Sequence, residues 1–135
     1  MENTENTKLA ILSGALVVFG LVFLSVYPLM LIWPSGWIWH TGHSDYPLMI
    51  VGIYATLGLF LIMASRHPLE HLSLIWFTVW SSIVHAAIMA FQSFEGPQNY
   101  GHLFGDVPAL LVAAVVLAVL TPRHQKALPL GLKSA

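Results

Sequence analysis

The stretch Leu72 to Phe94, LSLIWFTVWSSIVHAAIMAFQSF, is long and apolar enough to cross a bilayer, yet it carries a histidine, His85, well inside it. Backbone in hydrocarbon has no water to bond, so a run of this kind is expected to be a helix. At helical spacing Thr78, Ser82, His85, Met89 and Gln92 fall on one stripe, while Leu74, Ile75, Phe77, Ile83, Val84 and Ile88 fill the rest of the circumference. The polar stripe is predicted to face protein, and the rest of the chain has to supply its neighbours.

Composition agrees with a bilayer as solvent. The chain has 135 residues, of which 57% are hydrophobic and 8% charged, and its mean hydropathy is +0.76, too apolar for a soluble core of that size. A formal net charge of -1 does not provide the basic patch that a nucleic-acid partner needs. Cysteine is absent, which excludes disulfides, thiolate ligands and thiol nucleophiles; any metal would rest on His, Asp, Glu or Met. A phosphate-binding glycine loop, a nucleophile elbow and HExxH are absent as well.

Four apolar runs can be traced. Residues 1–8 form a polar tail, expected to fray, and the first span is predicted over residues 9–33, with small Ser13, Gly14 and Gly20 and a kink at Pro28. Its length, and Trp33-Pro34 in place of a small-residue cleavage site, argue against a signal peptide. Trp33, Trp37, Trp39, His40 and His43 then form an interfacial belt. The second span is predicted over 46–65, capped by Ser44 or Asp45 and opened by Pro47, and the third over 72–94. After a polar turn the fourth runs over 102–120, leaving a polar tail at 121–135. The expected fold is a single all-α domain, a four-span transmembrane helix bundle running up-down-up-down. In that arrangement Lys8, Arg66, Arg123, Lys126 and Lys133, all the Lys and Arg present, share one side; the positive-inside rule makes it the cytoplasm and puts both termini there.

Two groups of residues can carry chemistry. A rise of about 1.5 Å per residue sets His85 roughly 13 Å and Tyr54 about 12 Å from the outer ends of their helices, with Asp106 one turn inside the fourth. Ionisable groups at such depth need partners or water, so His85 and Tyr54, approached by Asp106, are candidate cofactor-binding residues. The structural alternative is a neutral histidine bonded to a tyrosine or a carbonyl, holding helices together. On the outer face His40, His43, His102 and Asp106 supply imidazole and carboxylate ligands of the kind that suit zinc or copper. Met89 would add a soft sulfur ligand if His85 joined them, although packing explains it as well. His67 and His71, on the opposite side, read as a solvated connection.

The Ala-Ser-Arg after the second span, the Trp-Ser-Ser and His-Ala-Ala of the third, and the Gly-His-Leu-Phe-Gly-Asp-Val-Pro opening the fourth resemble a family of small bacterial four-helix membrane proteins classified only as a domain of unknown function. The resemblance covers Tyr46 to Leu120 and implies the fold and a bacterial origin; it carries no activity. His85, His102 and Asp106 lie in the matching stretches, whereas His40 and His43 lie outside them.

Three functional classes follow. The first, non-enzymatic, is an accessory or assembly subunit in the bacterial cytoplasmic (inner) membrane that packs beside a larger membrane complex or self-associates. The second is a redox protein that holds copper, zinc or haem at His85 and the outer His and Asp groups. A proton or small-ion conductor is the third.

Overall fold

Pro28 has no amide hydrogen to offer the carbonyl of Leu24, and the first apolar run divides just upstream of it. The computed structural model, which describes residues 2–38 and 46–122, has α1 over Glu2–Leu24 and α2 over Val26–Ile32. Ser25 sits at the break: its amide donates to the carbonyls of Leu21 and Val22, both at 3.0 Å, and its hydroxyl donates to that of Leu21 at 2.8 Å. Pro28 thus falls in the first turn of α2, and the helix break lies at Ser25, in the outer third of the run, next to the carbonyl that the proline leaves without its amide partner. The polar leader, expected to fray, is helical from Glu2, and its residues from Thr4 to Lys8 are exposed.

A four-residue helix, α3 (Pro34–Trp37), precedes α4 (Tyr46–Ala64). Pro68 opens a 3-10 turn, Pro68–His71, that feeds α5 (Leu72–Gln92); His67 occupies the capping position but its side chain makes no cap bond. Two more 3-10 stretches, Ser93–Glu95 and Pro97–Leu103, lead to α6 (Asp106–Leu120). The protein is all-α, and among the described residues four segments are long and apolar enough to cross a membrane: Thr4–Leu24, Tyr46–Ala64, Pro68–Glu95 and Asn99–Leu120.

The spans pack as two close pairs, α1 with α4 and α5 with α6, and the pairs meet mainly through α1 and α6. In the first pair a Cβ on Gly20 would stand 2.7 Å from the carbonyl oxygen of Gly58, and one on Gly58 would stand 2.5 Å from that of Gly20. Only glycine at both positions lets the backbones cross so closely. Leu12, Leu16, Leu61, Ile75 and Leu117 are fully buried and close the half of the bundle nearest the 65–71 connection. Phe60, Phe77, Trp80 and Val115 point outward, as the lipid-facing surface of a membrane bundle requires.

The polar stripe of α5 turns inward. Thr78, Ser82 and Met89 are buried, His85 is half-buried and Gln92 is exposed near the helix end. Thr78 satisfies its hydroxyl within its own helix, donating to the carbonyl of Leu74 at 2.9 Å.

Candidate functional site

In an up-down-up-down bundle consecutive spans are expected to be neighbours, but among the described residues α4 and α5 hardly touch. They part in the half of the bundle that holds α3 and the 93–105 connection, and the space between them is a cavity of about 330 Å³. One face of α4 lines it with Tyr46, Ile50 and Tyr54, four residues apart in turn. His85, Ile88, Met89 and Gln92 come from α5, Phe23 from α1, Met30 from α2, and Asp106 and Ala109 from the start of α6. Ile50 and Ile88 line the cavity yet stay 44% and 54% exposed, so its mouth opens sideways between α4 and α5.

Aromatic contacts bridge the gap. The Tyr54 ring lies 5.3 Å from that of Phe23, tilted by 57°, and meets the His85 imidazole edge-on at 5.6 Å and 82°. These separations and angles are those that ring quadrupoles favour. Tyr54 and His85 come together here, as the matched depths anticipate, and Asp106 lines the same cavity.

Asp106 also belongs to a second arrangement behind the wall. His102 is only 1% exposed; its Nδ1 lies 2.9 Å from Asp106 Oδ2, and its Nε2 donates to the carbonyl oxygen of Ile38 at 3.2 Å. Because a carbonyl can only accept, Nε2 carries a proton. The bond to Asp106 then needs one further proton, held either on Nδ1 or on the carboxyl group. In both distributions the pair as a whole is neutral, which suits its burial.

What brings Ile38 to His102 is a glycine pair. A Cβ on Gly101 would collide with the carbonyl of Ser35, and one on Gly105 with the carbonyl of Gly36. The 3-10 stretch and the turn after it thus accept the backbone of α3 in direct contact, and Trp37 is held as part of the cavity wall. Gly101 and Gly105 repeat, one residue earlier, the four-residue spacing of His102 and Asp106, so that GHLFGD forms a clamp of two contacts and two bonds.

Of the four proposed outer ligands, the structure describes His102 and Asp106, which lie side by side. His40 and His43 lie outside the described residues. His102 and Asp106 engage each other, and the second nitrogen of His102 is taken by Ile38, so the ring would have to give up a bond before it could ligate an ion. Among the described residues no three His, Asp or Glu side chains are grouped to hold a metal. His67 and His71 are exposed at the other end of the bundle. Sequence reasoning missed Phe23, Trp37, Glu95 and Asn99 as lining residues, because apolar periodicity does not reveal which helix faces an opening.

A profile described as "Family of unknown function (DUF6632)" matches residues 6–131. No curated protein and no solved structure matches the chain.

Proposed function

The chain belongs to this family of unknown function, DUF6632, and we propose that it acts, without catalysing a reaction, by holding a small amphipathic molecule taken up from the membrane. The observation that carries this reading is the parting of α4 and α5 around a cavity in which Tyr54, His85 and Asp106 meet mostly apolar walls. A volume of about 330 Å³ falls at the lower end of small-molecule sites, which are commonly apolar hollows with a few convergent polar groups. Tyr54 and His85 supply the hydrogen bonds, and the sideways mouth admits a ligand already dissolved in lipid. The grouping of Lys and Arg supports a setting in the bacterial cytoplasmic membrane with both ends inside.

Mass spectrometry of extracts from protein purified in mild detergent tests this. The wild type is expected to carry a small molecule that is depleted by Ala109→Phe, which fills the cavity from α6, and reduced by His85→Leu. Equal bound content in wild type and Ala109→Phe would refute the proposal. The metal content and visible spectrum of the same preparation test the copper, zinc and haem reading.

A subunit role is the second reading, and one observation favours it. Gly14 on α1 and Gly52 on α4 are exposed, with no atom within 4 Å of where a Cβ would stand, so both leave room for another helix to approach. The chain has no cysteine, so Gly14→Cys and Gly52→Cys introduce unique thiols. Disulfide crosslinking in native membranes should capture a second copy or a larger partner, and failure at both positions would remove the basis of this reading.

A further inference from the structure

The cavity's lining constrains the electrical character of what it holds. Four aromatic side chains, Phe23, Trp37, Tyr46 and Tyr54, and two acidic ones, Glu95 and Asp106, contribute to its wall. Neither lysine nor arginine lines it among the described residues; Lys8 and Arg66 lie toward the other end of the bundle. Aromatic faces carry negative potential and attract cations, most strongly where water is scarce. Asp106 enters as half of a neutral pair with His102, so the lining carboxylate with no ion-pair partner among the described residues is Glu95 at the exposed rim. An anion would be repelled by the rim carboxylate, and a neutral molecule would gain apolar and stacking contacts from the rings but no charge attraction. The apolar mouth at Ile50 and Ile88 requires an apolar body on whatever enters.

Taking the cavity as a binding site, on which this step rests, we infer that its ligand is a lipophilic cation: an ammonium-type group carried on a small hydrophobic body. The cation lies among the aromatic rings, Glu95 draws it to the mouth, and the hydrophobic part enters from the bilayer between α4 and α5. Low effective dielectric in the bundle strengthens the attraction relative to water.

The methionines provide a site-resolved test. Met30 and Met89 line the cavity, whereas Met49 and Met63 are exposed on the lipid side. Full-length protein with 13C-methyl methionine, in lipid nanodiscs, is titrated by NMR with benzyltrimethylammonium and separately with neopentylbenzene, its neutral carbon isostere. The expected result is that Met30 and Met89 respond to the ammonium at ~10-fold or lower concentration than to the isostere. Ala109→Phe should abolish that response. Asp106→Asn would disturb the clamp, so Glu95→Gln on the exposed rim is the charge variant, expected to weaken the ammonium response several-fold. If both compounds move Met30 and Met89 equally and Ala109→Phe blocks both, the cationic class is overturned while the cavity reading stands. Responses confined to Met49 and Met63, or unchanged by Ala109→Phe, overturn both.

Discussion

Replacing His102 with alanine removes two bonds from a site that water does not reach. Asp106, 5% exposed, would lose the ring nitrogen now 2.9 Å from its carboxyl group, and the carbonyl of Ile38 would lose its donor at 3.2 Å. A buried acceptor stripped of its partner costs about 1–3 kcal/mol, and deleting one member of a buried ion pair, the form taken with the proton on Nδ1, costs about 3–5 kcal/mol. His102→Ala is therefore expected to destabilise the fold by about 3–5 kcal/mol. The penalty arises from what is left behind, so a double variant, His102→Leu with Asp106→Leu, should be less damaging than the two single changes added together. A coupling of at least about 1 kcal/mol is expected for groups in direct contact. Equilibrium unfolding in mixed micelles of rising SDS fraction, followed by tryptophan fluorescence, measures all four corners of the cycle. A single variant within about 0.5 kcal/mol of wild type, or single costs that simply add, would show that the pair does not hold α3 to the start of α6.

Gly58→Ala places a methyl group 2.5 Å from the Gly20 carbonyl oxygen and should cost about 1–3 kcal/mol in the same unfolding assay, whereas Gly52→Ala, over open space, should be close to neutral. Gly105→Ala wedges against Gly36 and is expected to free α3 from the clamp, seen as faster proteolysis between α3 and α4 with helicity by circular dichroism unchanged. A topology reporter inserted at Gly96 should be active outside the cytoplasm and one fused after Ala135 inside it; the reverse result, or both inside, would contradict the orientation drawn from Lys8, Arg66, Arg123, Lys126 and Lys133.

The four spans are legible in the sequence because the length of an apolar run is a local property that the thickness of a bilayer converts directly into a helix. The meeting of Tyr54 and His85 is legible for a related reason: helical rise is constant, and the connections on either side fix where counting begins. Neighbour choice is another matter. In lipid both the buried and the exposed faces of a span are apolar, so periodicity says little about which helix packs on which, and the parting of α4 from α5 leaves no pattern in either segment. The break at Ser25 is legible too, because a proline leaves unbonded the carbonyl four residues before it, here that of Leu24. His102 and Asp106 read as free ligands on a surface; only the backbone of α3, brought in over Gly101 and Gly105, makes them partners of each other and of Ile38.

The bond from His102 to Ile38 joins residues 64 positions apart, and that separation orders the birth of the molecule. Synthesis proceeds from the N-terminus, and early segments settle before later ones exist. As translation proceeds, α1 and α4 can seat against each other at Gly20 and Gly58 while the ribosome has yet to deliver α6. The acceptor at Ile38 waits throughout, and only the arrival of the last span fastens it. A nascent chain cut short before Gly101 would have α1 and α4 paired and α3 still unfastened.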